Sequence, residues 1–269
     1  MHRQVDRSYS ETRFRASEIE HRYGPDVHLL DDPLALSLLA ELSDERTGQP
    51  AVTRILRRLY DQLVRTALAA ELPRAIVRVT TRMKANFQGI GVDRTTSAVT
   101  VAIARAGTVP SQVCFDLLTE ILDPAGVRQD HVFMARQTDE TGRVTGAGLQ
   151  DSKIGGDVGS RIVLFPDPMG ATGSSLCRAL SHYRDAVAGT PLARISLNLI
   201  VTPEFVQRVT AEHPGVRIWA LRIDRGLSPP DVLASMPGAF PERERGLDDH
   251  QYIVPGAGGL GEVLNNAWV

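Results

Sequence analysis

The segment Arg161-Ile-Val-Leu-Phe-Pro-Asp-Pro-Met-Gly-Ala-Thr-Gly-Ser-Ser175 constrains the chain more than any other. An apolar strand runs into an aspartate, a turn of small and hydroxyl residues follows, and a helix is predicted over 174–187. Strands predicted at 194–201 and 216–223 flank a further helix at 203–211, so strand and helix alternate through this half. Such alternation gives a parallel sheet with crossover helices, because parallel neighbours cannot be joined by a tight turn. At the opening of such a helix, a turn without bulky side chains exposes successive backbone N–H groups and forms an anion cradle. Thr172, Ser174 and Ser175 add hydroxyl donors for phosphate oxygens, and Asp167 is an acceptor placed for a sugar diol. A plain strand–turn–helix with a capping hydroxyl has the same outline. The turn lacks both the Gly-Lys-Ser/Thr ending of a Walker loop and the three glycines of the dinucleotide fingerprint.

The rest of the chain supports an α/β unit over 27–269, preceded by a polar N-terminal extension at 1–26 that is read as loosely held. Asp31-Asp32-Pro33 reads as a capped helix start, and Leu34, Leu38, Leu39 and Leu42 follow at helical spacing. A second helix is predicted over 51–72, with Ile55, Leu56, Leu59, Leu63 and Leu68 on one face and arginines opposite. Strands are expected at 75–80, 98–103 and 132–135, a helix at 112–122, and a loop or hairpin at 87–92. Segment 138–159 holds six glycines and no periodicity, which predicts an excursion or flap. Segment 228–245 carries four prolines among many charges and reads as an exposed, irregular insertion.

Composition excludes several classes. With 269 residues and 42% hydrophobic content the chain can bury a sizeable core without covalent staples. A net charge of −2 gives no basic field to hold nucleic acid. No apolar run reaches a membrane span of about 20 residues, and the start shows no signal-peptide pattern, so a cytoplasmic protein is expected. Cys114 and Cys177 lie in apolar surroundings without CxxC or Cys/His spacing, which predicts two buried free thiols. The histidines are scattered without metal-ligand spacing.

Asp167-Pro-Met-Gly-Ala-Thr-Gly-Ser-Ser175 resembles the phosphoribosyl pyrophosphate (PRPP) loop of uracil phosphoribosyltransferases, Asp-Pro-Met-Leu-Ala-Thr-Gly-Gly-Ser. Three further segments follow the family's order. Ala104-Arg-Ala-Gly107 is similar to its Arg-Ala-Gly turn, Met134-Ala-Arg-Gln-Thr-Asp-Glu-Thr141 to a segment with a PRPP-binding arginine, and Tyr252-Ile-Val-Pro-Gly-Ala-Gly258 to its uracil-binding segment. The likeness covers roughly 27–263 and implies the type I phosphoribosyltransferase fold: a parallel sheet flanked by helices, with N-terminal helices and a small C-terminal hood. It implies that Arg105 and Arg136 hold the phosphate charges of PRPP, a task suited to the guanidinium fork. It places Asp167, Pro168, Met169, Gly170, Ala171, Thr172, Gly173, Ser174 and Ser175 at PRPP, and Ile253, Gly258, Gly259 and Leu260 at uracil, read largely through backbone groups. Mg²⁺ would travel with PRPP and its waters, without a protein carboxylate cage, and a homo-oligomer is expected from the resemblance.

The chain also departs from the family pattern. Where the tail reads Gly-Asp-Ala-Gly-Asp-Arg, this chain has Gly258-Gly-Leu-Gly-Glu-Val263, so the PRPP-contacting aspartate falls on Gly259 and Glu262 stands at the second acid. Gly170 and Ser174 replace a leucine and a glycine of the loop. The expected reaction is uracil plus PRPP giving UMP and pyrophosphate, with weak turnover because Gly259 carries no carboxylate. The alternatives are a phosphoribosyltransferase for another nucleobase or analogue, and a non-catalytic PRPP- or nucleotide-binding regulator.

Overall fold

The computed structural model describes residues 7–10, 13–138 and 144–267. After strand β1 (Val27–Leu29), helix α1 (Pro33–Ser43) starts on Asp32, whose side chain accepts from the Leu34 and Ala35 amides. Pro33 fits there because the first helical turn needs no intrahelical donor. Helix α2 (Ala51–Glu71) buries Ile55, Leu56, Leu59, Leu63 and Leu68 as its spacing predicts.

Strands β2 (Arg74–Thr80) and β3 (Asn86–Val92) pair antiparallel as a separate hairpin, which settles the 87–92 segment. Strand β4 (Ala98–Ala104) leads into helix α3 (Thr108–Ile121). That helix begins four residues before the expected 112, since Pro110 is tolerated in a first turn. Strand β5 (Val127–Thr138) runs longer than the expected 132–135.

The glycine-rich 138–159 segment is a strand for much of its length rather than a structureless flap: β6 (Val144–Lys153) pairs antiparallel with β5. Cross-strand hydrogen bonding holds it where side-chain periodicity gave no signal; its 139–143 portion lies outside the described residues. Strand β7 (Ile162–Pro166), the short β8 (Met169–Gly170), α4 (Ser174–Ala186), β9 (Ala193–Val201), α5 (Pro203–Glu212) and β10 (Val216–Ile223) complete the alternation. Two single-turn helices follow, α6 (Pro230–Leu233) and α7 (Leu260–Val263).

The main sheet has the order β1-β10-β9-β7-β4-β5-β6, parallel except for β6, with β8 attached to β9. Alternating side chains face opposite layers. Leu164, Leu197 and Trp219 pack with α1, α2 and α3, while Phe165, Val201 and Ile218 pack with α4 and α5. From β4 the chain moves outward to β5 and β6, then returns to β7 on the other side of β4. The strand order therefore reverses between β4 and β7, and it is outside the carboxyl ends of strands at such a switch point that α/β sheets bind ligands.

Two expectations are corrected. The extension is not loose over its described part: the Ile19 amide donates to the Leu29 carbonyl at 3.0 Å and the Asp31 amide to Ser17 at 2.8 Å. Nor is 228–245 simply exposed, since Ser228, Val232 and Glu244 are buried. Glu244 accepts from the Tyr23 hydroxyl (2.5 Å), the Gly238 amide (2.8 Å) and Arg225 (2.8 Å), joining the extension, the insertion and the end of β10. A buried charge needs such partners, and they fix the segments that carry them. Cys114 and Cys177 are buried and free, as expected. Among the described residues no helix is long and apolar enough to cross a membrane.

Candidate active site

The cradle begins where β7 ends. β9 anchors it residue by residue: the Asp167 amide donates to the Leu197 carbonyl at 3.0 Å, and the Asn198 side chain donates to the Asp167 carbonyl at 2.7 Å. The Leu199 and Ile200 amides both reach the Pro168 carbonyl at 3.1 Å. Met169 and Gly170 pair with Ile200 and Val201, and the Thr202 hydroxyl donates to the Ala171 carbonyl at 2.6 Å. Asn198 is in turn oriented by the Ser196 hydroxyl at 2.7 Å.

Gly170 has a packing reason. A Cβ there would stand 2.9 Å from Phe205 and 3.0 Å from Val201, so Phe205 leaves no room for a side chain directed that way. Gly173 caps α4 in the left-handed region (φ +73), which a residue with a Cβ adopts at a cost. The turn then delivers the first amides of α4, which have no intrahelical acceptors, together with the half-buried Thr172, Ser174 and Ser175. Thr172 Oγ1 accepts from the Ser174 amide at 3.3 Å. Asp167 is half-buried at the start of this turn. Burial pushes its carboxyl up to about 6, and the Met169 amide, donating at 3.3 Å, pulls the other way.

The Arg105 turn lies beside it. A Cβ on Gly107 would meet the Pro166 carbonyl oxygen at 2.9 Å, so only glycine lets β4's exit approach β7's end this closely. Arg105 is exposed, follows a cis Ala104–Arg105 peptide, and donates to the Ala267 carbonyl at 3.3 Å. Arg136 lies in β5 opposite Ala147. It sits three residues beyond the Phe133 that pairs with Ala104, hence past the carboxyl edge of β4; its side chain lies outside the described residues.

The C-terminal hood closes the third side. Ile253 and Leu260 are buried in the core, so their side chains are taken up by packing. The Gly226 amide donates to the Val254 carbonyl at 3.0 Å, and the Gly256 amide to the buried Asp224 at 2.8 Å. Gly258 has φ +68 with open space around it. The Gly259 carbonyl accepts from the Glu262 amide at 2.9 Å. A Cβ on Gly261 would stand 3.5 Å from Ala106 Cβ, which places α7 against the Arg105 turn.

Behind the Pro255–Gly256 turn lies a cavity of about 570 Å³, bordered by Leu39, Arg46, Arg222 and Asp224. Sequence reasoning missed Asp224 and Asn198. The signal for Asn198 was a polar residue within the mostly apolar strand β9, and for Asp224 an acid just past the end of β10.

The uracil phosphoribosyltransferase family model matches residues 29–243. Among curated relatives, the uracil phosphoribosyltransferase of Deinococcus radiodurans is 28% identical over 239 residues, covering 88% of this chain and 96% of that protein. That of Thermoanaerobacter sp. (strain X514) is 25% identical with the same coverage. In solved structures, the AQ2163 protein from Aquifex aeolicus superposes with a TM-score of 0.68 at 23% identity, covering 90% of this chain and 99% of that one. The fold agrees with the parallel sheet, flanking helices and terminal hood expected from sequence, and the chain is a phosphoribosyltransferase that belongs to the uracil phosphoribosyltransferase family.

Proposed function

We propose that this chain transfers the phosphoribosyl group of PRPP to uracil, giving UMP and pyrophosphate. The observation that carries the reading is the meeting of three segments at the switch point: the 167–175 cradle, the Arg105 turn, and the hood that abuts that turn through Gly261. The cradle amides and hydroxyls take the 5′-phosphate, Asp167 takes the ribose diol, and Arg105 and Arg136 take the pyrophosphate. The bond from the sugar's anomeric carbon to pyrophosphate breaks as the bond to the base nitrogen forms, and that nitrogen's proton leaves with the pyrophosphate and its surrounding water. Positive charge develops on the sugar and negative charge on the leaving group, so fixed cations opposite the pyrophosphate lower the barrier. Mg²⁺ bound with PRPP would neutralise further charge. The 168–175 turn carries no charged side chain and Asp167 is engaged with the ribose diol, which fits an ion held by PRPP oxygens and water.

A second reading, transfer to another nucleobase or analogue, is favoured by the hood. Gly259 replaces an acid, and both flanks of the 228–245 insertion are tied to the base segment, the Gly226 amide donating to the Val254 carbonyl and the Val254 amide to the Gly246 carbonyl. A homo-oligomer fits the β2–β3 hairpin, which exposes Ile76, Val79 and Phe87 away from the main sheet. Incubating the protein with PRPP, Mg²⁺ and a panel of radiolabelled bases separates the readings. Uracil converted to UMP supports the first, and turnover of another base alone supports the second. PRPP binding without any turnover overturns both in favour of a regulator.

A further inference from the structure

Among the described residues, one group of three brings metal-ligating atoms of different kinds together: Cys177, Glu212 and His213, whose donor atoms all lie within 4.8 Å of one another. Chain spacing conceals it, because the cysteine sits on α4 and the Glu-His pair ends α5. We propose that this cluster is a binding site for a zinc-class divalent cation that ties α4 to α5 behind the phosphate cradle.

The donor set selects the metal. A thiolate, an imidazole and a carboxylate suit Zn²⁺, whereas Mg²⁺ and Ca²⁺ take oxygen ligands almost exclusively. Tetrahedral zinc with these ligands sets donor atoms roughly 3.5 Å apart. The cluster therefore has to close by about 1 Å from its outer limit of 4.8 Å. Glu212 is the exposed member and has the freedom to close it, while Cys177 and His213 are buried and form the fixed floor.

The surroundings supply support for the ligands. His213 Nε2 lies 3.5 Å from the Ser181 hydroxyl, a contact that helps fix ring orientation. Without metal, Glu212 is held by Arg208 at 2.8 Å, and the thiol remains protonated, pushed up to about 12 by burial and by Glu212 beside it. Binding replaces that proton: the sulfur–metal bond forms, the S–H bond breaks, and the proton leaves to solvent. No electron changes hands.

Position gives the site a consequence. Cys177 is in the first turn of α4, and its amide donates to the Gly173 carbonyl at 2.8 Å. A Cβ on Gly173 would stand 3.5 Å from Arg208. A metal here therefore cross-links the base of the cradle to α5 without occupying the substrate crevice.

The test titrates metal-stripped full-length protein with Co²⁺ and then Zn²⁺. The expected result is one Co²⁺ per chain, with a near-ultraviolet thiolate-to-cobalt band that Zn²⁺ displaces. The band is absent in Cys177→Ser and retained in Cys114→Ser. His213→Asn and Glu212→Gln each weaken Zn²⁺ binding by more than about tenfold. Because Glu212 is exposed, its variant folds and decides the matter even if Cys177→Ser does not. Absence of the band, its survival in Cys177→Ser, or unchanged Zn²⁺ affinity in Glu212→Gln overturns the proposal. None of these readouts depends on turnover, so they stand apart from the assay of base transfer.

Discussion

Glu262 Oε2 lies 2.8 Å from the point that a Cβ on Gly259 would occupy. The acid three residues on thus folds back over the glycine, and a carboxylate stands at this corner of the hood although position 259 has no side chain.

If that carboxylate serves the reaction, Glu262→Gln lowers kcat/KM for uracil by about tenfold or more, equivalent to about 1.4 kcal/mol of transition-state stabilisation. Gly259→Asp alone gains little, because its new charge meets Glu262. The double variant Gly259→Asp/Glu262→Gln recovers what the single glutamine change loses. Steady-state kinetics on the three proteins checks this, and a Gly259→Asp enzyme faster than wild type would show that the two acids do not compete.

Asp167 sets a pH dependence. Burial holds its carboxyl up to about 6, so the carboxylate that accepts from the ribose diol is lost as pH falls through that value. PRPP affinity is expected to rise with pH across this window in wild type. It should rise less in Asp167→Asn, whose remaining slope belongs to the ligand's own phosphates. Losing a charged hydrogen bond of about 1.5–3 kcal/mol also weakens binding roughly ten- to a hundredfold at neutral pH. The sign for stability is opposite. An acid with a raised folded pKa favours the fold at low pH, and that contribution disappears as pH rises from the ordinary aspartate range through about 6. Calorimetric PRPP titrations and thermal melts at pH values on both sides of 6 test the two signs together.

Arg105→Ala and Arg136→Ala should each weaken pyrophosphate more than UMP, because UMP has no pyrophosphate to contact. A charge-assisted hydrogen bond is worth about 1.5–3 kcal/mol, so the expected loss for pyrophosphate is at least about tenfold. Competition binding against PRPP reads both ligands. Equal losses would remove these arginines from the leaving-group site.

Glu244→Ala leaves the Arg225 guanidinium, 10% exposed, without its carboxylate. Breaking a buried pair this way costs about 3–5 kcal/mol. The melting temperature should drop by several degrees, and hydrogen exchange should rise first in 13–26 and 228–245. Glu244→Gln keeps the Tyr23 contact and should lose less. A melt indistinguishable from wild type would mean that the three segments are held by something else.

How much of this was legible depended on sequence distance. The cradle could be read because strand, aspartate, turn and helix are contiguous from Arg161 to Ser175, and the Gly170–Gly173 turn carries its own conformational signal. The buried role of Glu244 could not, since Pro241-Glu-Arg-Glu-Arg245 looks like a solvated run and its partners Tyr23 and Arg225 lie far along the chain. Asp224 was hidden in the same way: its acceptor role toward Gly256 spans 32 residues. β6 escaped because backbone pairing with β5 orders it, and glycines leave no hydrophobic alternation to detect.

The stitching of 167–171 onto β9 has a thermodynamic consequence for recognition. Leu197, Asn198, Ile200 and Thr202 fix this backbone whether or not a ligand is present, so its ordering entropy is already lost at folding. Association with a phosphorylated sugar then has little loop freedom left to remove. Free and liganded forms should share one conformation in this turn, and what a ligand changes should be confined to the Arg105 and hood segments that face it.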